Sequence, residues 1–399
     1  MPIKKPPDLT KLDMSTGLNP RDTTFTLSDS GTFSKDDFTL KARGITQSPF
    51  GRCEGSSALT ITQSPFGRYE GSSALAQLQM IKQLGSGASS VVKLVYHPPS
   101  GQMLALKQLA AMEDPALRQQ VINELKVLYD VRCDYLVRLH DAFYLEGIIY
   151  LALEFMNAGS LEDVARKAGR IGDLPLGQIM VQVLQGLIFL HKEKHQLHRD
   201  LKPANILLSS CGDVKLSDFG ISRQLENTMA VAGTFCGTAQ YMSPERIVGD
   251  GYSYPADVWC VGLIALECAI GAYPYSRSVS GSGYFDLVKA IVDGPLPTED
   301  PALAPVLAQA GLSAELLDFV RHCLRKEATA RPTALQLMVR ACARARALEV
   351  ERARRSRPTA ALAPHTRADR LAQDHPFVQR AMAYPNGQVE LGRWLEGLN

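Results

Sequence analysis

The sequence lacks several features that would have placed it at once. It has no CxxC pair. The eight cysteines, at 53, 133, 211, 236, 260, 268, 323 and 342, match neither a zinc site nor a disulfide framework, so they read as thiols of a reducing compartment. It has little net charge, +2 from 43 basic and 41 acidic side chains. That balance gives no reason to expect nucleic acid or an anionic membrane as a partner. Long apolar runs are missing as well. The longest, 258–270, is interrupted by Glu267 and suits a buried helix better than a membrane span. The first residues carry no apolar run of the kind a secretory leader needs, so none is expected. The expectation is a cytoplasmic protein without a membrane span. Periodicity is also scarce over residues 1–76, which are rich in Ser, Thr, Gly, Pro and Asp and are expected to form a disordered tail.

That tail carries a tandem duplication. Residues 45–60 recur as 61–76 with 14 of 16 positions identical, and each copy contains a Ser-Pro pair, Ser48-Pro49 and Ser64-Pro65. Two copies are too few for a solenoid. Near its start, Lys4 and Lys5 precede Leu9 and Leu12, a spacing that lets a flexible peptide lie across an acidic patch and an apolar groove.

From residue 78 the chain becomes ordered in character. Two β-rich runs, 78–84 and 91–96, flank Gly85-Ser86-Gly87, where missing Cβ atoms let a hairpin close over phosphates. A lysine, Lys107, ends the next apolar strand. A helical stretch over 115–130 shows Leu117, Val121, Leu125 and Leu128 at 3–4 spacing and carries Glu124. Two further strands, 137–144 and 148–155, follow, and then a helical pattern over 176–194.

The chemistry concentrates in His198-Arg199-Asp200-Leu201-Lys202-Pro203-Ala204-Asn205, followed by Asp218-Phe219-Gly220. Asn205 and Asp218 offer oxygen donors that can hold Mg²⁺ against phosphates. Asp200 is left to orient and deprotonate a hydroxyl, and Lys202 to balance charge on a moving phosphoryl group. An inward Lys107, positioned by Glu124, would bridge the phosphates.

These motifs, in this order, resemble a eukaryotic protein kinase. The resemblance implies an α+β, bilobal fold with a β-rich N-lobe and a mainly helical C-lobe, over about 77–380, and a C-terminal tail at 381–399. It implies ATP and Mg²⁺ as cofactors. Leu153 would be the gatekeeper, and Glu154 and Met156 would lie in the hinge. Gly85, Ser86, Gly87, Val92, Ala105, Lys107, Glu124, Glu154, Met156, Asn205, Leu207 and Asp218 would line the nucleotide site. Ser90 stands where the family usually has a third glycine.

The segment 237–246, with Gly237-Thr238 and Tyr241-Met242-Ser243-Pro244-Glu245-Arg246, resembles MAP kinase kinases. Thr228 and Thr234, with five residues between them, resemble the activation sites of plant-type members. Their phosphates would face Arg199. The partners so implied are a downstream MAP kinase, docked through Lys4, Lys5, Leu9 and Leu12, and an upstream MAP kinase kinase kinase. The implied reaction is transfer of the γ-phosphate of ATP to Thr and Tyr of the MAP kinase. A kinase resembling MAP kinase kinase kinases or Ste20 enzymes, or a pseudokinase scaffold, are the alternatives. The resemblance also implies that Asp257 supports the catalytic loop from below, with Cys260 in place of a usual Ser, and that Arg331 pairs with Glu245. One departure is the Ala/Arg-rich stretch at about 334–366, read as a helical insertion before His375-Pro376-Phe377. Trp394 and Leu395 near the end need an apolar groove.

Overall fold

The computed structural model describes residues 26–27, 33–35, 38–41, 44–47, 74–87, 90–109, 132–145, 148–219, 239–276, 284–338, 375–384 and 386–398. The N-terminal segment, read as a disordered tail, is described only in short pieces between residues 26 and 47 and from 74 onward. It contains four short strands, β1 (Thr26–Leu27), β2 (Phe33–Lys35), β3 (Phe38–Lys41) and β4 (Gly44–Gln47), paired antiparallel in chain order. Strand-forming residues such as Phe33, Phe38, Thr39 and Ile45 occupy runs of two to four, too short for a period-two signal to stand out. The docking-like residues and Ser48 and Ser64 of the duplication lie outside the described residues.

A second sheet has five antiparallel strands in the order β5-β6-β7-β9-β8: β5 (Gln79–Ser86), β6 (Ser90–His97), β7 (Gln102–Leu109), β8 (Leu139–Leu145) and β9 (Ile148–Glu154). Alternation gives it two faces. One carries a small core of Val95, Leu104, Leu106, Phe143 and Ala152, covered by Leu75 and Leu78. The other carries Val92, Ala105 and Lys107, in neighbouring register positions. The strands β3 and β4 run alongside β8.

The larger lobe is mainly helical. A two-residue strand, β10 (Gly159–Ser160), leads into α1 (Leu161–Ala168), where Ser160 and Asp163 form a reciprocal cap. Helix α2 (Asp173–Ile188) continues into a wide turn over Phe189–Glu193. By length and composition this stretch could cross a membrane. In the fold it is a core helix, with Leu176, Ile179, Met180, Val183, Leu184 and Leu187 buried. The hairpin β11 (Ile206–Leu208) and β12 (Val214–Leu216) pairs with β10.

Then come α3 (Pro244–Val248), α4 (Tyr254–Ile270), α5 (Tyr284–Val292), α6 (Ala304–Ala310), α7 (Ala314–Cys323), α8 (Pro376–Met382) and α9 (Gly387–Glu396). Helix α4 is apolar on every side because it is surrounded on every side. Gly262 lets it touch α7, since a Cβ there would stand 2.6 Å from Cys323 Cβ.

The residues set apart as a tail, 381–399, do not hang free in the part described. Helix α9 packs on α2, burying Leu391 and Leu395, with Trp394 half-buried beside them. Their groove is intramolecular. The stretch read as a helical insertion is described only over 334–338, which is helical.

Candidate active site

The site is built where the five-stranded sheet meets the β11–β12 hairpin. On β7, Lys107 is paired in register with Val92 of β6 and Leu151 of β9, so it points with Ala105 into the cleft. Its Nζ lies 2.5 Å from Asp218 Oδ1. Burial alone would raise the Asp218 carboxyl. The charge and hydrogen bond of Lys107, helped by Lys202, outweigh it and hold that carboxyl below its ordinary value. Asp218 is therefore an anion, in left-handed backbone at φ 59°. Glu124, the expected partner of Lys107, falls outside the described residues, as do Gly220, Thr228 and Thr234.

The catalytic loop is tied to Asp218 through one residue. Ser217 N–H donates to Asn205 O at 2.9 Å, and Asn205 Nδ2 donates to Asp200 O at 2.8 Å and to Asp200 Oδ2 at 2.9 Å. Lys202 Nζ lies 2.8 Å from the same Asp200 oxygen. Five residues singled out in the sequence, Lys107, Asp200, Lys202, Asn205 and Asp218, thus form one connected polar network. Because the amide nitrogen of Asn205 is engaged, its carbonyl oxygen is the atom left for a cation. That oxygen and an ionised Asp218 carboxylate are hard donors, and they fit Mg²⁺.

The loop is held from beneath by Asp257 of α4, which is fully buried. Asp257 accepts from the backbone N–H of His198 at 3.0 Å and of Arg199 at 3.1 Å. It also accepts from His191 Nε2 and Tyr252 OH, each at 2.8 Å. Burial pushes the Asp257 carboxyl up, but the hydrogen bond and charge of His191, with His198, bring it below its usual value. Burial lowers His198, so its ring is neutral, packed 6.3 Å from the Phe219 ring. Arg199 sits at φ 72°, a conformation fixed by that double backbone grip. Its Nε is buried with no partner among the described residues.

The nucleotide walls are partly placed. Gly85 and Ser86 end β5 opposite Val92 and Val91, and Gly87 N–H donates to Ser90 O at 2.8 Å to close the hairpin. Leu153, the gatekeeper position, pairs with Ala105 in register, and Leu207 lies on β11 opposite Lys215. Met156 is buried one turn beyond β9. Glu154 is not idle: Lys215 Nζ binds its two carboxylate oxygens at 2.7 and 2.9 Å.

A second network fixes the floor. Arg331 makes a two-pronged ion pair with Glu245, 2.6 Å at each prong, and also donates to the carbonyls of Arg325, Lys326 and Pro255. Cys260 Sγ lies 3.1 Å from Tyr241 O, and burial pushes its thiol far above the usual value. It stays protonated, so it keeps the donor that a serine would supply.

Sequence reasoning missed His191, Tyr252 and Lys215. Each acts through a partner distant in sequence or buried by packing, and none stands in a motif. Only a tertiary contact reveals them.

The protein kinase domain family matches residues 78–341. Mitogen-activated protein kinase kinase 2 of Arabidopsis thaliana is 43% identical over 266 residues, 66% of this chain and 71% of that protein. The mitogen-activated protein kinase kinase SIPKK of Nicotiana tabacum is 36% identical over 315 residues, 78% of this chain and 84% of its own length. This chain belongs to the MAP kinase kinase family. The dual specificity mitogen-activated protein kinase kinase 1 of Dictyostelium discoideum is 48% identical over 202 residues, 51% of this chain but 31% of that longer protein. The kinase is thus an ATP-dependent protein kinase, and its β-rich and helical lobes are those expected of the family. ATP is its phosphoryl donor, usually taken with Mg²⁺.

Proposed function

We propose that this kinase transfers the γ-phosphoryl group of ATP to Thr and Tyr in the activation loop of a MAP kinase, after being switched on by phosphorylation of Thr228 and Thr234. The observation that carries the reading is the Asp200 carboxylate, held by Asn205 and Lys202 on a loop that buried Asp257 grips by two backbone N–H groups. Asp200 orients the incoming hydroxyl and takes its proton. The hydroxyl oxygen bonds to the γ-phosphorus as the bond to the β-γ bridging oxygen breaks, and ADP leaves. Lys202 lies where it offsets charge on the moving group, and Lys107 holds the phosphates. Asn205 and Asp218 would hold Mg²⁺, which neutralises phosphate charge when bound.

The names of the relatives support the substrate class. The buried, unpaired Nε of Arg199 supports the switch, because it suits a phosphate on the activation segment. A reducing cytoplasm suits the five cysteines among the described residues, all of them free thiols. Lys4, Lys5, Leu9 and Leu12 would dock the MAP kinase. The test is an assay of the Thr228→Asp/Thr234→Asp variant on a panel of catalytically inactive MAP kinases. Labelling of at least one, well above the unmodified chain, is expected. Labelling of a generic protein but of no MAP kinase would overturn the reading.

A further inference from the structure

Away from the catalytic cleft, α7 and the start of α8 bring together Asp318, His322 and His375. One ligand atom from each lies within 4.8 Å of the other two. We propose that these three side chains bind one transition-metal dication, with Zn²⁺ the best match, fastening the C-terminal helices to the lobe.

The geometry is close to what such an ion needs. His375 Nε2 stands 3.1 Å from Asp318 Oδ2, and His322 Nδ1 stands 3.5 Å from Asp318 Oδ1. Zinc bonds of about 2.0–2.2 Å at tetrahedral angles put neighbouring ligand atoms about 3.3–3.6 Å apart. The two Asp318 distances run to different carboxylate oxygens, and the three ligand atoms, which lie within 4.8 Å of one another, reach that spacing by rotation of the Asp318 and His322 side chains. Nδ1 of His322 lies 2.9 Å from the carbonyl oxygen of Asp318, a hydrogen bond the ion would replace with a metal–nitrogen bond.

The ligands are placed by the fold before any ion arrives. Asp318 and His322 are four residues apart on α7 and so share a face. His375 caps α8 and is buried, its ring 5.2 Å from Phe319 and 5.7 Å from His322. The Asp318 side chain is 51% exposed, which leaves one side open for a water as fourth ligand. Two imidazole nitrogens and one carboxylate oxygen suit Zn²⁺ and disfavour Mg²⁺ or Ca²⁺. A lone ion pair anchoring α8 would need one histidine, and here two converge on one carboxylate. The ion would join α7 to a helix that the chain reaches only after residues 339–374, and would stabilise that junction by mass action.

The experiment uses the metal-stripped full chain carrying Asp218→Asn, which weakens cation binding at the active site. Zn²⁺ is titrated against a chromophoric chelator, and the bound ion is examined by X-ray absorption. One equivalent with a dissociation constant in the micromolar range or tighter is expected, with two imidazoles in its shell. Adding His322→Ala should weaken binding at least tenfold and abolish the rise in Tm that Zn²⁺ gives the parent. Because His375 also caps α8, the decisive variant is His322→Ala, whose side chain is partly exposed. Absence of binding, or equal affinity in the His322→Ala protein, would overturn the proposal.

Discussion

Asp257 shows how a single buried carboxylate positions a catalytic loop that it never joins chemically. It accepts four hydrogen bonds, two of them from the backbone N–H groups of His198 and Arg199. Asp257→Asn swaps one accepting oxygen for a donor. It is expected to cost about 2–4 kcal/mol in urea unfolding, the range for breaking a buried charged network. The pH dependence carries a definite sign. The folded carboxyl titrates below its unfolded value of about 3.9, so the stability it gives is present above that pH and lost as pH falls through the folded value. The gap between wild type and Asp257→Asn should therefore narrow below about pH 4. Lys107→Met tests the other end of the network. It should lower kcat by about 10²-fold or more, while near-neutral unfolding shows the chain still folded.

Among elements, the β11–β12 hairpin and α9 depend on one glycine. Gly212 has φ +87°, and a Cβ on it would lie 2.0 Å from Gln388 O. Gly212→Ala is expected to displace the start of α9 and cost about 1–3 kcal/mol, and limited proteolysis should then cut first near the C-terminus. The ion pair between α3 and the loop after α7 behaves differently. Arg331→Met leaves the half-buried Glu245 carboxylate without its partner and should cost about 1–3 kcal/mol, while a paired apolar replacement of both should recover much of that loss.

These elements also show what could be read from the sequence. The pairing of Arg331 with Glu245 and the support by Asp257 were expected, because both residues stand in recognisable motifs. The existence of strands β5 to β9 followed from short β-rich runs, but their order in the sheet, β5-β6-β7-β9-β8, did not. The seating of α9 was not legible, because Leu391, Trp394 and Leu395 show only an apolar face and not what covers it. The same holds for β1 to β4, whose runs are too short to be distinguished from polar coil.

At the scale of the whole molecule, Arg199 is the residue proposed to join the catalytic network to the switch. Its backbone belongs to the loop that Asp257 fixes, and its side-chain Nε is a buried donor with no partner among the described residues. Activation by Thr228→Asp/Thr234→Asp should therefore depend on it. Arg199→Ala in that variant is expected to remove most of the gain in kcat, and an undiminished gain would separate the switch from this residue. The most direct test of the central claim is phosphopeptide mapping of a catalytically inactive MAP kinase after incubation with the activated chain and ATP. Phosphate is expected on both the Thr and the Tyr of that protein's activation loop, and none when Lys107 is replaced by Met. Phosphate on serines and threonines elsewhere, with the activation-loop Tyr untouched, would contradict it.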